Sequence, residues 1–146
     1  MEWLVALRGQ VVGLDTAPLI YFMEENPTYL ATVRPFFEAM DRGEFSVITS
    51  MVTLLEVLVH PFRRGDVDLA QQYRDILLHA DHLTTIGLSQ DIAEEAARLR
   101  ARHNLRTPDA IQLATAIHTS ASHFLTNDDR YPTVPGVRIL VLDMLR

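Results

Sequence analysis

Residues Thr107 to Asp129 read TPDAIQLATAIHTSASHFLTNDD, and this stretch sets the reading of the whole chain. Thr107 is a capping residue type, Pro108 suits the first helical position, where its missing N–H is no loss, and Asp109 falls in the first turn. Ala110, Leu113, Ala114, Ile117 and Ala121 recur at helical spacing, giving an apolar face edged with small residues. Side chains that small let a helix lie close against a sheet. After a turn at Ser120–Ser122 the pattern predicts a short strand, His123–Thr126, followed by Asn127, Asp128 and Asp129. One carboxylate therefore stands at a helix N-terminus and another at a strand C-terminus, one α/β unit apart. In open parallel sheets, ligands bind at the carboxyl ends of strands.

The flanking sequence repeats the same alternation. Val11–Leu14 is an apolar run ending at Asp15, and Ala17–Met23 is apolar again, so a strand, Asp15-Thr16 and a helix are expected. Asn26-Pro27 reads as the cap and first residue of another helix, with Pro35 kinking or dividing it and Gly43 closing it. Phe45–Thr49 is a second strand; Thr49 or Ser50 caps a helix over Met51–His60 that Pro61 should stop. A loop, Phe62–Asp66, then leads to a helix over Val67–Ala80. His82–Ile86 is a short strand candidate. Ser89 caps a helix with Ile92, Ala96, Leu99 and His103 on its core face, and Asn104 suits a left-handed terminator. Val137–Leu142 is the last strand. Strands alternating with helices predict a parallel, doubly wound α/β sheet in one domain over residues 1–146.

Composition narrows the chemistry. The 146 residues are 48% hydrophobic and 22% charged, as in ordinary globular domains. No cysteine is present, which excludes disulfides and thiolate-bound metals. Ala17–Met23 and Met51–Val59 are too short to span a bilayer, and Met1–Gln10 does not resemble a signal peptide, so a cytoplasmic protein with no membrane role is expected. Net charge is −6, and all 13 basic residues are arginine. That balance does not suit non-specific nucleic-acid binding, but it is what a cluster of metal-binding carboxylates adds.

Taken singly, Asp15, Asp109 and Asp128 read as a cap, a first-turn acid and a turn former. Glu56 shifts that balance. It is the only charged residue in MVTLLEVLV, on a helix whose composition predicts burial nearly all round. A lone buried glutamate needs a partner, either an arginine such as Arg34 or Arg63, or a site shared with Asp15 and Asp128. Carboxylates that converge repel one another unless a hard cation lies between them. Mg²⁺ and Mn²⁺ take oxygen ligands and phosphate oxygens, and such a site activates water and neutralises charge on a phosphodiester.

VVGLDTAPLIYF around Asp15, VITSMVTLLEVLVHP around Glu56, LRTPDAIQLATAI around Asp109 and HFLTNDDRY around Asp128 together resemble the PIN domain family of metal-dependent ribonucleases, specifically VapC-like toxins of toxin–antitoxin pairs. Order and spacing match from Val11 to the C-terminus. The resemblance implies a three-layer α/β/α fold with a five-stranded parallel sheet in the order 3-2-1-4-5. It places Asp15, Glu56, Asp109 and Asp128 in the family's catalytic acidic quartet, with Asp15, Asp109 and Asp128 as ligands of Mg²⁺ or Mn²⁺. Thr126 matches the usual Thr or Ser two positions before the last acid; Thr16, Arg106 and Thr126 are expected to contact substrate. Ala17 departs from the polar residue common at its position, and Asp129 competes with Asp128 for the fourth place.

The resemblance further implies RNA as substrate, a small antitoxin as partner and assembly as a homodimer. A housekeeping PIN nuclease without antitoxin, or an inactive PIN-fold binding module, are the alternatives. The large apolar residues Tyr21, Phe22, Tyr29, Phe36 and Phe37 suggest an interface on Ala17–Glu24 and Asn26–Arg42. His79 and His82 are read as surface residues, and Arg98 as the i, i+4 partner of Glu94.

Overall fold

In a computed structural model describing Met1–Arg146, the five strands Val11–Leu14 (β1), Ser46–Ser50 (β2), Leu83–Ile86 (β3), His123–Thr126 (β4) and Arg138–Val141 (β5) form one parallel sheet. Their order is β3-β2-β1-β4-β5, as expected. Helices cover both faces, because side chains along a strand alternate between them. In β2, Val47 joins one core and Ile48 the other; in β4, Leu125 and Phe124 divide the same way. The first core gathers Glu2–Val5 (α1), Thr16–Met23 (α2), Leu30–Asp41 (α3), Met51–Arg64 (α4) and Val67–His79 (α5). The second is built on Gln90–Arg102 (α6) and Thr107–His118 (α7).

The small-residue face of α7 does bring that helix onto the sheet. A Cβ placed on Gly13 of β1 would come within 2.9 Å of both the Ala116 Cβ and the Phe124 ring. Contact this close seats the C-terminal half of α7 on β1, and the helix runs from there to Asp109 in its first turn.

Several boundaries differ from expectation. Pro61 does not stop α4, which runs to Arg64, so Phe62–Arg64 are helical rather than loop. A proline forfeits only one backbone hydrogen bond here, and Gly65 at φ 64° supplies the left-handed terminus. Pro35 likewise sits inside an undivided α3. Asn26 caps as a turn, its Oδ1 accepting from the N–H groups of Thr28 and Tyr29, but regular helix begins only at Leu30. At α7 the capping position is Arg106, with Thr107 already helical. Asn104 is not left-handed; α6 ends at His103 in extended backbone, and Leu105 rather than His103 enters the core. The short α1 had no signal in the sequence.

Phe36 and Phe37 are core residues, packed edge to face at 5.1 Å, not interface residues. Exposed apolar side chains recur instead along α4, where Met51, Leu55, Val59 and Phe62 stand at i, i+4, i+8 and i+11. That helix is therefore not buried all round. His79 and His82 are exposed as read, and Arg98 pairs with Glu95 rather than Glu94. No helix is long and apolar enough to cross a membrane.

Candidate functional site

Strands β1 and β4 are neighbours, and the chain leaves them in opposite directions across the sheet, which opens a crevice at their carboxyl ends. Asp15, Glu56, Asp109 and Asp128 all line one cavity there, of about 250 Å³. Thr16, Arg106 and Thr126 line it too. Every residue singled out from the sequence for the site is thus on the same crevice. Asp129 is exposed and outside it, which favours Asp128 as the fourth acid.

Asp15 is the most deeply set, at 9% exposure. It caps α2, its Oδ1 accepting from the Thr16 N–H at 2.8 Å, while Oδ2 accepts from Thr126 Oγ1 at 2.7 Å. Burial pushes its carboxyl above the usual aspartate range, and the Asp109 charge adds to the push; the two donors pull it back. Glu56 extends from α4, and its Oε1 accepts from Thr16 Oγ1 at 2.7 Å. No arginine pairs with it.

Asp109 and Asp128 are each held by a guanidinium at the rim. Arg106 reaches Asp109 at 3.0 Å, and Arg130 grips Asp128 at 2.8 Å. The Arg130 guanidinium holds the Asp128 carboxyl below its ordinary range. Asp128 also sits in a tight turn, its N–H donating to Thr126 Oγ1 and its Oδ1 accepting from the Arg130 N–H. Thr126 therefore serves two acids at once. The hydroxyl protons of Thr16 and Thr126, expected on substrate, are committed to Glu56 and Asp15.

The donor set suits a hard divalent cation: oxygens only, three of them aspartates, with no imidazole or thiolate. No three acidic or histidine side chains stand together as a ready-made coordination shell. The reason is visible in the pairings, since Asp109 and Asp128 turn to arginines and Glu56 to a threonine. Rotation of those side chains off their partners is what a cation would require.

Sequence reasoning missed five residues around the acids. Tyr131 is 8% exposed, packs on Phe124, and turns its hydroxyl toward Asp15 and Asp109, 3.5 Å from Asp109 Oδ1. Burial first, and then the Asp15 charge, push that phenol far above its ordinary range, so it stays a donor. Gln112, Thr53 and Thr49 form a buried polar chain beneath Glu56, and Arg130 is the cap on Asp128. Gln112 had a signal available, as an amide among the alanines of α7 one turn after Asp109.

The model of the PIN domain family matches residues 12–137 of the chain. A sequence comparison with curated proteins found no match. Among solved structures, a toxin–antitoxin complex from Klebsiella pneumoniae is 27% identical, covers 87% of this chain and 94% of its own, and superposes with a TM-score of 0.65. VapBC2 from Rickettsia felis, bound to a DNA fragment from its promoter, is 18% identical, with 90% and 98% covered and a TM-score of 0.70. Mycobacterium tuberculosis VapC20, described as a toxin cleaving the sarcin–ricin loop, is 17% identical, with 78% and 86% covered and a TM-score of 0.64.

Proposed function

Since this chain belongs to the PIN domain family, we propose that it is a ribonuclease toxin of a toxin–antitoxin pair, cutting RNA with the help of Mg²⁺ or Mn²⁺. The observation that carries the reading is the meeting of Asp15, Glu56, Asp109 and Asp128, from four places in the sequence, at one crevice at the strand ends. Separate caps and turn formers would have no reason to share a cavity. The likeness to the Klebsiella toxin–antitoxin complex supports the toxin role and the antitoxin partner.

Asp15, Asp109 and Asp128 would hold the cation, which when bound supplies a Lewis acid for water and for the scissile phosphate. The protein's own part begins with Asp15, a carboxylate already stripped of water and aimed by Thr126. Glu56, held by Thr16, would orient the attacking water. Arg106 lies on the rim, with its side chain 69% exposed, where it would contact the phosphate backbone. Thr16 and Thr126 would act by holding the acids. An acidic protein of this kind would take its substrate by the shape of a loop rather than by bulk charge.

Purified protein should cut structured RNA in millimolar Mn²⁺ and stop on addition of EDTA, while Asp109→Asn stays folded and inert. Near wild-type cleavage by folded Asp109→Asn would remove that residue from the site. Undiminished cleavage in EDTA would sink the cation requirement. For the partner, the product of a short reading frame immediately upstream should co-purify with the chain and suppress cleavage; a homodimer should appear by light scattering.

A further inference from the structure

A buried amide stands at the head of a hydrogen-bond chain that ends on Glu56. Gln112 lies one turn after Asp109 in α7 and is 2% exposed. Its Nε2 donates to Thr53 Oγ1 at 2.6 Å and reaches Thr16 Oγ1 at 3.3 Å. Thr53, one turn before Glu56 on α4, is fully buried, with its Oγ1 3.1 Å from that of Thr16 and 2.9 Å from that of Thr49. Thr16 then donates to Glu56 Oε1, and Thr49 donates to the carbonyl of Leu14, the residue before Asp15.

Counting protons sets the direction of the chain. The Leu14 carbonyl accepts from Thr49 and the Glu56 Oε1 from Thr16, so the hydroxyl protons of Thr49 and Thr16 are both spent on them. Thr53 has one proton for two oxygen neighbours. Were Gln112 turned to accept, that proton would go to the amide, and both neighbours would face Thr53 without one. Gln112 must therefore donate, and every proton in the chain points away from it. The two outlets are Glu56 and the strand end that carries Asp15.

Packing alone does not account for this arrangement. The Gln112 Oε1 is buried without a partner, a position that costs stability and that a methionine or leucine would avoid. Thr16, Thr49 and Thr53 are buried as well. Such a network is justified when each member specifies the geometry of the next. Glu56 is a long side chain on a partly exposed turn, with several rotamers open to it. A single fixed donor beneath it selects the one facing the cavity.

We propose that Gln112 is a positioning residue for Glu56, acting through Thr53 and Thr16; the inference rests on the nuclease reading of the same site. The test compares wild type, Gln112→Met, Thr53→Val and Thr53→Ser in Mn²⁺-supported RNA cleavage and in crystal structures. Methionine and valine keep the volume and remove the polar hydrogen; serine keeps the hydroxyl. In Gln112→Met and Thr53→Val, kcat should fall about tenfold to a hundredfold, the range for groups that orient a site residue. KM should stay within about twofold, and Thr53→Ser should recover most of the rate. Adding Gln112→Met to Glu56→Gln should cause no further loss, since nothing remains to be positioned. Should Gln112→Met fail to fold, the Thr53→Val and Thr53→Ser pair carries the same comparison. Full additivity, or wild-type kcat in the donor-less variants, overturns the proposal. The crystal structures read the role without activity: Glu56 should leave Thr16 in Thr53→Val and remain on it in Thr53→Ser. A Glu56 that keeps its place in Thr53→Val overturns the positioning role, whereas a wild type that cuts no RNA overturns the nuclease reading alone.

Discussion

Thr126 Oγ1 donates a 2.7 Å hydrogen bond to Asp15 Oδ2, tying the carboxyl end of β4 to that of β1. The bond spans 111 residues of sequence and holds a carboxylate at the point where the sheet's connections diverge. It does not offset the removal of Asp15 from water, since burial dominates and keeps the carboxyl raised.

That raised carboxyl has a signed consequence. The unfolded chain releases the Asp15 proton near 3.8, while the folded chain holds it to higher pH. Ionised Asp15 therefore opposes folding at neutral pH, and the opposition fades as pH falls toward 3.8. Without metal, Asp15→Asn should melt above wild type at pH 7, and the gap should narrow on acidification. Asp128 has the opposite sign, contributing stability above its unfolded value that is lost only in stronger acid. Thermal melts in EDTA across this range check it. A gap that stays constant with pH would show that Asp15 ionisation is not opposed by burial.

Arg106 and Arg130 occupy the acids that a cation would need. Arg130→Ala should therefore tighten Mn²⁺ binding in calorimetry, and Arg106→Ala should do the same through Asp109, since the ion no longer competes with a guanidinium. Arg98→Ala, whose partner Glu95 is remote from the crevice, should change nothing. Unchanged affinity in Arg130→Ala would mean that Asp128 takes no part in binding the ion.

Gly13 tests the contact that seats α7. Alanine there would set a methyl 2.9 Å from Ala116 and Phe124, both in the core. Overpacking of this sort costs about 1–3 kcal/mol, so urea midpoints should fall for Gly13→Ala. A variant as stable as wild type would show that the helix can lift without loss.

Phe36 and Leu55 separate core from surface. Phe36 is fully buried among Trp3, Phe37 and Phe45, and Phe36→Ala should cost about 3–5 kcal/mol. Leu55 is 68% exposed, and Leu55→Ala should stay within about 0.5 kcal/mol. Denaturant unfolding of both variants decides, and a large loss at Leu55 would contradict the placement of α4.

The alternation of strands and helices and the positions of the acids at the strand ends were legible in the sequence because both are carried by local pattern, whereas the order of the strands followed from the resemblance to the PIN family. A strand run followed by Asp15, a small-residue helix behind Asp109 and a strand ending before Asp128 are each spelled by neighbours in the chain. Prolines were misleading for a related reason. Sequence registers the lost hydrogen bond at Pro35 and Pro61, but not the core packing of Phe36, Phe37 and Val57 that keeps each helix intact.

The sequence by itself thus determined the α/β alternation, the close approach of α7 and the acids that end the strands, since burial periodicity and residue size act over a few residues. Only the tertiary structure decided which groups those acids face. Thr16 meets Glu56 from 40 residues away, Gln112 meets Thr53 from 59, and Tyr131 reaches Asp109 from 22. Side-chain hydrogen bonds form wherever the packed chain brings a donor within about 3 Å of an acceptor. That distance depends on how three helices seat on one sheet, and no spacing along the chain encodes it.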